Sequence, residues 1–226
     1  MIPIVIPHGN NEARDALLNS IREKVRLIVV VDRSKVNLSP GLEGEYFITL
    51  DAPQPFNFAG AVNVGICEAR KYWEWTDPTV RGFVLMNDDT EILSENFFAT
   101  LESEAHFDEK IGIISPRIEG RCGQKVQLHP GNEIAGAKTL AFICVYIKKE
   151  LLLRVGLLDE RFTGYGYEDD DYCLRTVDAG YKLAVTPKCL LRHSDGKERM
   201  GVWEQRPDYA QLMRANKERF DGKWIR

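Results

Sequence analysis

The chain has 226 residues, 34 acidic against 30 Lys and Arg, a net charge of −4 and a hydrophobic share of 44%. That is enough to bury one substantial core and too little for a catalytic domain plus a second of full size, and the mild negative balance offers no broad attraction for nucleic acid. No apolar run approaches the ~20 residues that cross a bilayer, the start Met1 to His8 lacks a basic leader pattern, and five scattered cysteines without a C-x-x-C pair argue against a zinc site or a disulfide framework, so a cytoplasmic protein is expected.

In chain order, β-branched apolar runs at Ile2 to Ile6, Leu27 to Val31, Tyr46 to Leu50 and Gly82 to Met86 read as strands, with helices between them at Asn11 to Glu23 and Ala59 to Trp75. This alternation is the mark of a largely parallel α/β sheet. A helix capped by Ser94 is expected from Glu95. Beyond it the alternation breaks, with strands at Gly112 to Ser115, Leu140 to Lys148 and Lys182 to Thr186, so the sheet should be mixed and flanked by helices. Pro40 to Gly44 and Glu119 to Gly131 read as loops. The run from Glu168 should form a helix whose core side carries Leu174 and Val177 and which Gly180 ends, and a last helix is expected at Asp208 to Phe220.

Three places along this pattern carry chemistry. Gly164-Tyr165-Gly166-Tyr167-Glu168-Asp169-Asp170-Asp171 sets four consecutive carboxylates behind two glycines and two aromatics. Like charges this close raise one another's affinity for protons, so one of them is a candidate base. The strand ending at Met86 runs into Asn87-Asp88-Asp89, and carboxylates at the carboxyl end of an α/β strand face the ligand crevice, where they suit Mg²⁺ or Mn²⁺ bridging a diphosphate. His193 adds an imidazole, which Mn²⁺ accepts beside oxygen donors.

The order of these motifs, with Pro187 before His193, resembles the inverting family-2 glycosyltransferases of the GT-A fold. Phe56-Asn57-Phe58-Ala59-Gly60-Ala61-Val62-Asn63-Val64-Gly65 resembles the donor-side Asn-rich helix of that family and of the β-1,4-galactosyltransferases, and the ending Asn216 to Phe220 with Lys223-Trp224 adds to the family resemblance. The resemblance implies a single GT-A domain over 1–226, with a nucleotide-sugar half to residue 115 and an acceptor half from 116. It makes Asp169 the base, with Glu168 holding acceptor hydroxyls and standing as the runner-up base. Asp89 and His193 would be the metal ligands, for Mn²⁺ or Mg²⁺. Pro7, Asp32, Asn57, Asn63, Asn87 and Asp88 would line the donor site, and Tyr165, Tyr167 and Trp203 would offer faces to acceptor sugars. The implied partners are a nucleotide-diphosphate sugar, UDP-linked in the first instance, and a hydroxyl-bearing acceptor. Two positions depart from the pattern: Asn87 stands where many members carry Asp, and Phe58 where the galactosyltransferase-like motif carries Arg.

The polar segment Ser194 to Pro207 could close over the donor as a lid, with Lys197 or Arg199 meeting the diphosphate. Two further readings compete. A sugar-phosphate nucleotidyltransferase would need a Gly-rich basic loop after the first strand, where His8 to Arg14 offers one Gly and no Lys. A non-catalytic nucleotide-sugar or glycan binder on the same fold is the other.

Overall fold

The structure, a computed structural model, describes residues 2–8, 11–23, 25, 27–32, 46–53, 55–75, 77–194 and 207–225. In chain order its elements are β1 (Pro3–His8), α1 (Asn11–Ser20), β2 (Leu27–Asp32), β3 (Tyr46–Asp51), α2 (Phe58–Trp75), β4 (Gly82–Met86), β5 (Thr90–Ile92), α3 (Phe97–Ala105), β6 (Ile111–Gly120), α4 (Lys125–Leu128), β7 (Ala135–Ala137), β8 (Cys144–Lys148), α5 (Lys149–Val155), α6 (Glu168–Asp178), β9 (Lys182–His193) and α7 (Tyr209–Trp224).

One mixed sheet runs β3-β2-β1-β4-β8-β6-β9-β5, with β7 also pairing β9. The first four strands are parallel, so the ends of β1, β2, β3 and β4 open on one edge: His8 registers with Asp32, and Asp32 with Asp51. From β8 onward antiparallel and parallel pairings mix, as the broken alternation of the second half implied.

Both faces of the central strands are covered, which is why their sequences are apolar without interruption. Along β4, Phe83 and Leu85 join the core under α2, while Val84 and Met86 join the core under α1 and α3. Along β8, Val145 and Ile147 go to the first face, and Cys144 and Tyr146 to the second. In α2 the residues Ala59, Val62, Ile66, Ala69 and Trp73 repeat at helical spacing and supply one packed stripe against the sheet.

Several boundaries differ from the sequence reading, each for a local reason. Helix α1 stops at Ser20, which releases Glu23 to accept the Phe98 and Ala99 amides at the start of α3 at 2.9 and 3.3 Å. Helix α3 therefore begins at Phe97 with Asn96 in the left-handed region, and Ser94 instead accepts the Leu190 amide at 3.0 Å. The stretch 140–143 is not strand. Gln127, from a short helix inside the expected loop, accepts the Ala141 amide at 2.8 Å and donates to its carbonyl at 3.0 Å, replacing a neighbouring strand. Strand β9 continues to His193 because the excess residues at Pro187 are absorbed as an irregularity: Pro116 registers with Thr186 and Arg117 with Leu190. Val177 is 46% exposed, and α6 instead buries Glu168, Asp171, Tyr172, Cys173 and Thr176. No helix among the described residues is long and apolar enough to cross a membrane.

Candidate active site

Strand topology brings Asp89 and His193 together. Strand β5, directly after the Asp88-Asp89 turn, pairs antiparallel with the end of β9, with Thr90 opposite His193. His193 Nε2 lies 3.2 Å from Asp89 Oδ1. Ser194 holds the same acid twice, its amide donating to the Asp89 carbonyl at 3.2 Å and its hydroxyl to Oδ2 at 3.3 Å. His193 Nδ1 faces the Arg121 carbonyl. A carbonyl only accepts, so Nδ1 carries a proton and Nε2 presents a lone pair to a carboxylate unless a second proton or a cation lies between them. Burial alone would lower the His193 pKa, but the Asp89 carboxylate more than offsets it and holds it above the usual value. For Asp89, burial pushes upward and His193 wins, leaving its pKa lowered. A carboxylate and an imidazole whose second nitrogen is fixed by a backbone carbonyl are a fitting donor pair for a divalent cation. No third His, Cys, Asp or Glu joins them among the described residues.

Asn87 closes β4 beside this pair. Its amide donates to the Ile143 carbonyl at 2.8 Å, and its side-chain Oδ1 is buried without a hydrogen-bond partner. Asp88 sits half-buried in the turn.

The four carboxylates of α6 have four different environments. Asp171 is fully buried and neutralised: Arg175 Nε donates to Oδ2 at 2.9 Å, Lys223 Nζ lies 2.6 Å from Oδ1, and Trp224 Nε1 donates to Oδ1 at 2.8 Å. Asp170 is half-buried, and burial raises its pKa. Glu168 is 2% exposed and its Oε2 has no partner; burial, then the charge of Asp169, push its pKa well above the usual carboxylate range. Asp169 is pushed up to about 7 by desolvation and by Asp170 beside it. Amide donors hold it in place, Asp170 N–H to Oδ1 at 2.9 Å and Phe142 N–H from the stretch that Gln127 fixes. A carboxyl poised near neutrality can take a proton from a hydroxyl and release it again.

The loop 163–167 lies between the two clusters. Tyr165 leaves 38% of its surface exposed, packs edge-on against Phe58 with centroids 5.1 Å apart, and has a desolvated phenol end that feels the charges of Asp169, Glu168 and Asp89. Tyr167 lays its ring on Phe220, 5.5 Å between centroids, so that face is given to packing. The two asparagines of the donor-side motif are likewise engaged within the fold. Asn57 caps α2, accepting the Gly60 amide at 3.1 Å and donating to the Glu160 carbonyl at 2.8 Å. Asn63, 4% exposed, accepts the Leu158 amide at 2.9 Å and donates to the Leu158 carbonyl at 3.0 Å and to Glu160 at 2.8 Å. Both tie α2 to the loop leading to the acidic helix. Pro7 is buried near the end of β1, and Asp32 closes β2. Trp203, Lys197 and Arg199 lie outside the described residues, as does all of the expected lid between Ser194 and Pro207. The Arg121 carbonyl and the Phe142 amide, which orient His193 and Asp169, could not be found by residue type because they are backbone groups.

No family model matches the chain. Its architecture is that of GT-A glycosyltransferases. It superposes on the structure of GalNAc-T7 with UDP, GalNAc and Mn²⁺ at a TM-score of 0.65 and 14% identity, over 98% of this chain and 49% of that one. On the mannosyltransferase PcManGT from Pyrobaculum calidifontis, in complex with GDP-Man and Mn²⁺, the TM-score is 0.67 at 17% identity, over 89% and 59%. For S. aureus TarS it is 0.61 at 14%, over 95% and 64%. The uncharacterized protein y4gI of Sinorhizobium fredii is 24% identical over 65% of this chain and 18% of its own length. The chain thus spans about half to two-thirds of the solved chains it matches, and under a fifth of the rhizobial protein.

Because Asp171 neutralises two cations in the interior, Asp171→Asn should lower unfolding free energy by on the order of 3 kcal/mol. Asp169 behaves in the opposite sense. A raised pKa in the folded state stabilises most below the ordinary value of 3.8, and that contribution disappears as pH rises through about 7. Urea unfolding across this range should therefore find Asp169→Asn gaining on the wild type as pH increases; parallel pH curves for the two would contradict the assignment.

Proposed function

We propose that the protein is a metal-dependent inverting glycosyltransferase that moves a sugar from a nucleotide-diphosphate donor to an acceptor hydroxyl. The observation that carries this reading is the placement, on a GT-A fold, of a desolvated carboxylate near neutrality whose charge reaches a tyrosine that also feels the strand-end Asp89 of the Asp89–His193 pair. A UDP-sugar is the first donor to try, given the likeness of the Asn-rich helix to the galactosyltransferase motif; GalNAc-T7 and PcManGT hold UDP and GDP-Man.

In this reading the nucleotide lies along the ends of the parallel strands near Pro7 and Asp32, within the half up to residue 115. The half from 116 to 226 takes the acceptor. Asp169 accepts the proton of the acceptor hydroxyl as that oxygen attacks the anomeric carbon. Its fixed amide donors leave it little freedom to turn away. Glu168, whose proton affinity burial raises, helps hold the acceptor hydroxyls. Asp89 and His193 would hold Mn²⁺ or Mg²⁺, which would supply Lewis-acid stabilisation of the leaving diphosphate. The Asn87 Oδ1, buried without a partner, is ready to accept from a ribose or sugar hydroxyl. Displacement with the base opposite the leaving group inverts the anomeric centre.

Asp169→Asn is expected to reduce transfer at least about a hundredfold while donor affinity holds, since the amide keeps the shape and cannot take the proton. The wild-type rate should rise with pH through about 7 as Asp169 ionises, and NMR of the product should show an inverted anomeric centre. Normal turnover in Asp169→Asn with loss in Glu168→Gln would move the base by one residue; a retained configuration would remove the direct-displacement mechanism.

The cation has its own test. Titration calorimetry of UDP or GDP with Mn²⁺ and with chelator should show metal-dependent binding that Asp89→Ala and His193→Ala each weaken by about tenfold or more without unfolding. Equal affinity in chelator, or a full metal effect in His193→Ala, contradicts the shared site.

A further inference from the structure

The loop that carries Tyr165 does not hold its own shape. Gly164, Gly166 and Tyr167 all have positive φ, at 73, 106 and 72°, so the backbone zigzags through the left-handed region and forms no ladder. Its polar groups are met from outside by one side chain, Asn216 of α7, which is 0% exposed. Asn216 Oδ1 accepts the Thr163 amide at 3.1 Å, and Nδ2 donates to the Thr163 carbonyl at 2.9 Å and the Gly166 carbonyl at 3.1 Å. Arg219 donates to the same Oδ1 at 3.2 Å and fixes the amide's orientation. Met213 closes the other side: a Cβ at Gly166 would come within 2.7 Å of its sulfur.

What the loop holds reaches both halves of the site. The Gly164 carbonyl accepts the Phe58 amide at 2.8 Å, fixing the start of α2, and Tyr165 packs on the Phe58 ring. We propose that Asn216 is a positioning residue, its carboxamide fixing the 163–166 backbone so that Tyr165 and the entry to α6 stand in register with Asp169. It touches no reacting atom. Helix α7 does not need Asn216 to stay docked, because Trp224 donates to Asp171 at 2.8 Å and Lys223 to Asp159 at 3.1 Å at its far end. The catalytic consequence rests on the transferase function proposed above; the structural one does not.

The test is amide hydrogen exchange on the full chain, with transfer kinetics beside it. In Asn216→Ala the Thr163 and Phe58 amides should exchange faster by about tenfold or more while Leu212 to Phe220 keep their protection. Transfer should lose about tenfold in kcat with donor KM little changed, since a shifted wall misplaces the acceptor. If the alanine variant does not fold, Asn216→Asp keeps the acceptor for Thr163 and loses the Nδ2 donations, so Phe58 alone should speed up. Unchanged Phe58 exchange overturns the proposal, as does a rise in donor KM with kcat intact. Should the wild type transfer from no donor, the functional reading falls and the exchange result alone decides the role of Asn216.

Discussion

Four consecutive carboxylates in one helical turn cannot all remain ionised in a desolvated cleft, and the rest of the site follows from how that repulsion is settled. Asp171 is enclosed by Arg175, Lys223 and Trp224, and in pairing with them it fastens α7 across α6. Burial, and the charge of Asp169, raise the proton affinity of Glu168. Asp169 is left between these extremes, near neutrality, with amide donors that fix its direction. A helix start that would be unstable as a bare acidic run becomes a scaffold and a proton acceptor at adjacent positions.

The second constraint is topological. Parallel β1 to β4 bring their carboxyl ends to one edge, and a three-residue strand after the Asp88-Asp89 turn pairs with the last residues of β9. That pairing joins Asp89 to His193, although they are far apart in the chain. Asn87 reaches the other cluster through the 142–143 stretch, its amide on the Ile143 carbonyl while the Phe142 amide turns to Asp169. The divided core supports this from beneath, since alternate residues of β4 and β8 are locked into opposite faces.

Much of this was legible in the sequence where the signal is periodic. The first-half strands and α2 appear because apolar residues repeat at two or 3.6, and the end of β4 shows because an apolar run stops at Asn87-Asp88-Asp89. What was hidden depends on tertiary partners. Helix α3 takes its cap from Glu23, 75 residues away, so the local Ser94 was misleading. The stretch 140–143 has a strand's composition but pairs with the Gln127 side chain. Asn57 and Asn63 have the composition of ligand-binding residues and serve as cap and tie. Asp169 and Asp171 have the same side chain, and only the cations of α6 and α7 distinguish them.

The division of charge within that turn is the centre of the account, and carboxyl-carbon NMR of the labelled protein reads it residue by residue. Asp169 should titrate near 7, and Glu168 should titrate well above the ordinary carboxylate range. An Asp169 that titrates with the ordinary exposed carboxylates would contradict it.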